Sequence, residues 1–344
     1  MKHKLALLLC LSASVITSSF TAEHSKIPHS DKIITATSSS ADSLDKLIFK
    51  NARELPFPLF YHACVTDNEF AYTVGGFSGT GISRQVLRYD PKVNNWSVLT
   101  NKLTPLVQAT ASYIQETGKI YVIGGLSSIR NYVYNENIQS VDVKTGEVKT
   151  LAVKNPLPVA YSGSAVWKNK IYIFGGSPNM TNFNTARATN AVYEFDPLTE
   201  KFTRLPDMPE MVQATGAVVD GILYVFGGYN AAQKYTSSHI YAYDINKKTW
   251  ESAGKLPARI ATNGISTSGH FIFITGDYSE KDFSGYFDTK KRNFTMIKSN
   301  FADRSHSGAV VLHNHLMVIG GTGNAGGVRD AQVADLKELT GKTE

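Results

Sequence analysis

Only two cysteines, Cys10 and Cys64, occur in 344 residues. Cys10 sits in an N-terminal apolar run, and loss of that run leaves Cys64 without a partner for an intramolecular disulfide. Stability must then come from a hydrophobic core rather than covalent staples. Cys64 lies in an apolar strand pattern, where a thiol is buried and inert. Charge is also sparse, at 19% of residues against 42% hydrophobic, which argues against general disorder. The one dense basic stretch, Lys290-Lys291-Arg292, falls in a turn, so no nucleic-acid footprint is expected. Catalytic signatures are missing as well. There is no H-E-x-x-H, paired C-x-x-C, Walker loop, G-x-S-x-G or EF-hand spacing. Gly323-Asn324-Ala325-Gly326-Gly327 is glycine-rich but opens no helix. The nine histidines are scattered, and His313 and His315 share a strand-turn-strand context that suits a solvent-facing turn. Neither a metal site nor a cofactor is expected.

The N-terminus carries Lys2 and Lys4, then an apolar run from Leu5 to Ile16. About a dozen residues fall short of the roughly 20 that span a bilayer, so the segment reads as a secretory signal ending near Thr21-Ala22. Residues 1–22 are the expected signal peptide, and a periplasmic or secreted location follows. Removing Lys2 and Lys4 lowers the formal charge of +6 by two. Residues 23–43, with Thr35-Ala36-Thr37-Ser38-Ser39-Ser40, lack apolar periodicity and read as a flexible leader. The folded domain is expected over 44–344.

What the chain has in plenty is one repeat. An apolar strand-like run ends in Gly75-Gly76, Gly124-Gly125, Gly175-Gly176, Gly227-Gly228, the degenerate Thr275-Gly276-Asp277, and Gly320-Gly321. The successive steps are 49, 51, 52, 48 and 45 residues. A period near fifty with strand content indicates a β-propeller with one four-stranded sheet per repeat. In the third repeat, Ser162 to Trp167 is followed by the turn Lys168-Asn169-Lys170 and the strand Ile171 to Phe174. A loop then leads to Ala191 to Phe195, and the turn Asp196-Pro197 to an aromatic, Phe202. The turn-plus-aromatic unit recurs as Tyr89-Asp90 with Trp96 and Tyr243-Asp244 with Trp250.

These elements resemble the Kelch motif over roughly residues 44 to 340. The fold expected is all-β, a six-bladed Kelch-type propeller. The last repeat lacks an aromatic fourth strand, while Leu44 to Phe49 and Leu55-Pro56 match the fourth strand and exit of the others. The N-terminal strand should therefore complete the sixth blade and remove its open edge.

Loops on a rigid scaffold are where sites concentrate. The loop after each glycine pair and the connection into the next blade emerge on one face. Loops 126–137, 177–190, 229–239, 277–285 and 322–332 supply the candidate ligand-binding residues Arg130, Tyr132, Asn182, Arg187, Tyr229, Tyr235 and Tyr278. Tyr, Asn and Arg suit a carbohydrate or polar peptide, because rings stack and amides bond hydroxyls. His306 joins this set. Kelch repeats often carry Arg and His where Arg304 and His306 stand, and only the sixth repeat keeps both. The other five are apolar in the Arg column, so no arginine-lined mouth is expected. The expected function is an exported binding protein for a glycan or protein partner, a monomer with no nucleic acid bound and no membrane span after signal cleavage.

The chain is also distantly similar to the exported sialic-acid mutarotase/epimerase group, likewise six-bladed Kelch propellers. That resemblance implies a cofactor-free sugar mutarotase as the alternative function, with Asp277 or Glu280 as acid/base and Arg304 or Arg329 as carboxylate clamp. The group's Pro-Gly and nearby Arg are lacking after Gly276-Asp277.

Overall fold

The computed structural model describes residues 46–337. The expected signal peptide and the whole of the expected leader lie outside them. Blade 1 runs Ala63–Thr66, Ala71–Val74, Val86–Asp90 and Asn95–Thr100, each strand antiparallel to the next. The same order repeats in five further blades, whose innermost strands begin at Thr110, Gly163, Gln213, Gly264 and Gly308. Six blades result, as the repeat count implies.

The core is divided among the wedges between blades. Val74, Leu106, Ile120 and Val141 pack between blades 1 and 2. Phe174, Val212, Val225 and Tyr243 pack between blades 3 and 4. Equivalent apolar clusters fill the other wedges. Every repeat therefore buries its apolar faces only by stacking on its neighbours.

Both signature elements have mechanical roles. Each first glycine is left-handed and touches the next blade: a Cβ on Gly75 or Gly124 would stand 2.6 Å from the carbonyl oxygen of Leu106 or Val159. The second glycine donates its N–H across the same seam, from Gly76 to Leu106 O (2.7 Å), Gly125 to Val159 O (2.8 Å) and Gly228 to Ile260 O (2.8 Å). In the turn unit the aspartate accepts the N–H of the residue two ahead, as Asp90 does from Lys92 and Asp244 from Asn246. The tryptophans bridge backwards: Trp96 Nε1 donates to Arg53 O (2.9 Å) and Trp250 Nε1 to Pro206 O (3.0 Å).

The ring closes through the N-terminus, at a later register than the pattern match placed it. Lys50–Asn51 pairs antiparallel with Ala331–Asp335 and completes blade 6. Lys46–Leu47 instead pairs parallel with Lys298–Ser299 beside blade 5. Leu47 and Phe49 are thereby free to fill the wedge with Phe273, Ile297 and Leu316. Burial of those two side chains, rather than strand likeness, sets the register.

Candidate functional site

The channel face is built by pinning each incoming connection to the loop behind a glycine pair. Phe60 bridges Phe77, Val107 bridges Leu126, Ala160 bridges Ser177, Gln213 pairs with Tyr229, and Ser305 bridges Thr322. The residue after each of these positions, together with Thr262 after Ala261, whose carbonyl accepts from Tyr278 N (3.2 Å), forms one structural column: Tyr61, Gln108, Tyr161, Ala214, Thr262 and His306. All but Ala214 are left-handed, with φ between 54° and 63°. A non-glycine residue there costs on the order of 1 kcal/mol, and its repetition in five blades holds the side chains at the mouth. Their main chains form a belt: Gln108 N donates to Tyr61 O (2.9 Å), Tyr161 N to Gln108 O (3.1 Å) and His306 N to Thr262 O (2.9 Å).

Side chains from this column converge at the throat. The Tyr61 ring meets His306 edge-on at 4.4 Å and Tyr161 at 6.1 Å, and Tyr278 stands 6.1 Å from His306. Gln108 Nε2 donates to the Tyr161 hydroxyl (2.5 Å). Below, small polar residues line the wall, with Ser112 Oγ bonded to Ser164 Oγ (3.1 Å) and Asn263 Nδ2 to Thr215 Oγ1 (2.9 Å).

The throat is electrically neutral. Burial pushes His62 down to about 4. Burial first, and the charge of Lys281 second, pushes His306 down to about 3. Burial, helped by Tyr278, pushes the Tyr61 phenol up to about 12, and burial also lifts Tyr161 well above its usual value. Near neutral pH the imidazoles are uncharged and the phenols keep their protons. The unfolded chain binds protons at the ordinary histidine value of about 6.5, so stability is complete above that pH and declines as pH falls towards 4 and then 3. Each histidine should remove about 2 kcal/mol by about pH 5. Urea unfolding as a function of pH measures this loss, and His62→Asn should flatten the slope.

Rim loops of blades 1 to 4 pack into an apolar canopy on one side of the mouth. Phe77, Leu126, Met180, Ala186 and Ala231 are its buried centre. Tyr134 locks two loops, donating to Ser177 O (2.9 Å) and accepting from Met180 N (2.8 Å). Tyr132 meets Phe183 edge-on at 5.2 Å. Above this centre Val133, Phe183 and Met211 are exposed, and Tyr278 stands 46% exposed beyond the throat.

The residues singled out by sequence fall into separate places. Asp277 is 1% exposed, and its carboxylate accepts the N–H groups of Ala261, Ser279 and Glu280. It replaces the second glycine of its pair, but its side chain ties the entry and the loop of its own blade 5 rather than the seam to blade 6. Glu280 is exposed on that turn. Arg304 is 1% exposed, donating to Ala302 O, Gly320 O, Asp330 O and Gln332 Oε1. Arg329 donates to Leu55 O (2.8 Å) at the closure, with Glu54 at 3.7 Å. It also borders a polar groove of about 570 Å³, whose lining shares no residue with the throat.

Among the ligand-binding candidates, Arg130 and Arg187 are exposed, and Asn182 caps a turn by accepting from Asn184 N. Tyr132 and Tyr229 belong to the canopy. Tyr235 lies under Arg259 at 5.6 Å, and its hydroxyl is 3.5 Å from Glu210, which holds His239 at 2.6 Å. Only Tyr278 and His306 stand together at the throat. Tyr61, Gln108, Tyr161 and Thr262 complete it and were not singled out. The small residues Ala109 and Ser162, which lie near the start of the innermost strands of blades 2 and 3, stand one position after Gln108 and Tyr161 and so draw a sequence comparison of the repeats away from this column. A polar or aromatic residue directly after an apolar bridging residue was the available signal. The Arg column, correctly placed, reads Leu59, Leu106, Val159, Val212, Ile260 and Arg304, so the mouth has no arginine ring.

A family model, the Attractin/LZTR1 beta-propeller, matches residues 33–280, well over half the chain. The chain belongs to this family. Kelch-like protein 23 of Homo sapiens is 27% identical over 235 residues, covering 68% of this chain and 38% of that protein. Kelch-like protein 25 of Homo sapiens is 30% identical over 224 residues, covering 61% and 35%. This Kelch propeller thus spans little more than a third of the length of these curated relatives. The solved structure of YjhT superimposes with a TM-score of 0.70 at 16% identity, covering 83% of this chain and 97% of that one, which shows a shared fold. Among the described residues, no helix is long and apolar enough to cross a membrane, and no three His, Cys, Asp or Glu gather as metal ligands.

Proposed function

We propose that this Kelch propeller is a binding module that docks a protein partner on its channel face. The observation that carries it is the mouth, where exposed Val133, Phe183 and Met211 on one side and Tyr278 beyond flank a throat of neutral polar and aromatic groups. A cluster of exposed apolar and aromatic anchors bordered by polar groups is what a recognition surface needs. The Kelch-like relatives support a protein-binding propeller, and the N-terminal sequence supports an exported one. A glycan partner would use the same rings for stacking.

Peptides selected from a display library on the full chain give the test. Replacing Phe183 with Asp and Met211 with Asp should weaken the selected peptides about a hundredfold while leaving the unfolding midpoint within error, because both side chains are exposed. Undiminished binding would place the docking surface elsewhere.

A sugar mutarotase at this mouth would have to work through His306, Tyr61 and Tyr278, because the Asp277 and Arg304 side chains are held by backbone groups. Proton NMR of freshly dissolved α-anomers of sialic acid and common aldoses, with and without protein, is expected to show the spontaneous rate. Acceleration would replace the binding-module reading with an enzymatic one.

A further inference from the structure

Direct contacts join the rim loops of blades 2, 3 and 4 into one surface. Tyr132 meets Phe183 edge-on at 5.2 Å, linking loop 126–137 to loop 177–190. Ala232 N donates to Ala186 O (3.1 Å), linking loop 177–190 to loop 229–239. Asn230 Nδ2 donates to Met211 O (3.0 Å), which brings in the connection entering blade 4. The exposed side chains of Val133, Phe183 and Met211 therefore belong to one patch. A cation stands beside each junction. Arg130 lies two residues before Tyr132, and Arg187 follows Ala186. Lys234 ends the turn holding Ala231 and Ala232, its N–H bonded to Ala231 O (3.1 Å).

The charge of this patch is one-sided. Arg130, Arg187 and Lys234 are exposed, and among the described residues none is held through its head group by an ion pair or hydrogen bond. Loops 177–190 and 229–239 contain no carboxylate. Glu136 is the single acid of loop 126–137, and Lys154 holds it at 3.3 Å. Glu210, beside Met211, is held by His239 at 2.6 Å. Each local acid thus has its own partner, and three cations remain beside the apolar side chains. Charge of one sign steers and selects a partner, while apolar contact holds it.

We propose that the partner segment docking on this patch is acidic and amphipathic, with Asp or Glu beside its apolar anchors. The proposal rests on the partner-binding reading of the channel face and names the chemistry of the partner. The anchors cover Val133, Phe183 and Met211, and the carboxylates meet Arg130, Arg187 and Lys234. A guanidinium fork matches a carboxylate in shape as well as charge. A basic segment would face like charge, and a neutral one would strip water from three cations without pairing them. Pairs at an exposed rim are screened by salt, so they act on association rate and choice of partner.

The test selects a random displayed peptide library twice at low salt, on the full chain and on the full chain carrying Arg130→Glu, Arg187→Glu and Lys234→Glu. All three positions are exposed, so the triple variant should keep its unfolding midpoint. The first pool should be enriched in Asp and Glu beside apolar positions, and the second in Lys and Arg. Peptides of the first pool should bind the triple variant about thirtyfold more weakly. They should also weaken about tenfold between about 50 mM and about 500 mM salt. Replacing their Asp and Glu with Asn and Gln should reproduce the loss. Pools of equal charge composition, or undiminished binding to the triple variant, overturn the proposal. If such peptides still weaken when Phe183→Ala and Met211→Ala are combined, the acidic partner falls and the apolar docking surface stands. If they ignore that pair as well, both fall. Binding to phosphatidylglycerol vesicles that is lost in the triple variant, with no acidic enrichment in the first pool, overturns the proposal in favour of an anionic membrane.

Discussion

Arg304→Ala should destabilise the protein by about 3–5 kcal/mol, among the largest single-residue effects in the chain. The guanidinium is the largest fully buried side chain, and it satisfies the carbonyls of Ala302, Gly320 and Asp330 together with Gln332 Oε1. Gln332 Oε1 in turn accepts from Ala302 N, so one side chain holds the entry to blade 6 against its outer strands. Phe301 lies beneath the guanidinium at 5.3 Å. Arg304→Met keeps most of the volume but leaves the acceptors unpaired, and should cost about 2–3 kcal/mol. Guanidinium unfolding at neutral pH distinguishes the two variants. A loss under about 1 kcal/mol for Arg304→Met would mean that the acceptors do not depend on Arg304, leaving it available to a ligand.

The second large effect concerns closure. Phe49→Ala should cost about 3–5 kcal/mol, because the ring is 3% exposed and packs on Phe301 at 5.4 Å. Asn300 fixes the backbone on both sides, accepting from Phe49 N (2.7 Å) and donating to Phe49 O (2.8 Å). Deleting the chain through Asn51 goes further. It removes Leu47 and Phe49 from the wedge between blades 5 and 6, and leaves Ala331–Asp335 as an unpaired edge. Open edges recruit other chains, so the truncated protein should elute as aggregates where the longer one elutes as a single species. A truncated chain with an unchanged elution volume and unfolding midpoint would show that the ring does not depend on this strand.

The ring was legible because its determinants are local and repeated. Glycine pairs mark the close approach of neighbouring blades, and Tyr-Asp turns mark the outer hairpins. Closure was legible in kind but not in register. The sequence of Leu44 to Phe49 looks like a fourth strand, yet the wedge between blades 5 and 6 takes Leu47 and Phe49, and pairing shifts to Lys50–Asn51. The throat was hardly legible. Tyr61, Gln108, Tyr161, Thr262 and His306 are of four residue types and share a left-handed backbone conformation that a residue pattern does not display. Asp277 and Arg304 misled for the opposite reason. Charged residues beside a glycine pair suggest chemistry, but here each ties backbone groups within its own blade.

The most direct test of the channel face as the docking surface is amide hydrogen exchange on the full chain with and without its tightest display-selected peptide. Protection is expected in loops 126–137, 177–190 and 277–285 and in the connections carrying Tyr61 and His306, with the outer hairpin turns at Asp90, Asp196 and Asp244 unchanged. Protection confined to those outer turns, with the mouth exchanging as before, would contradict the account.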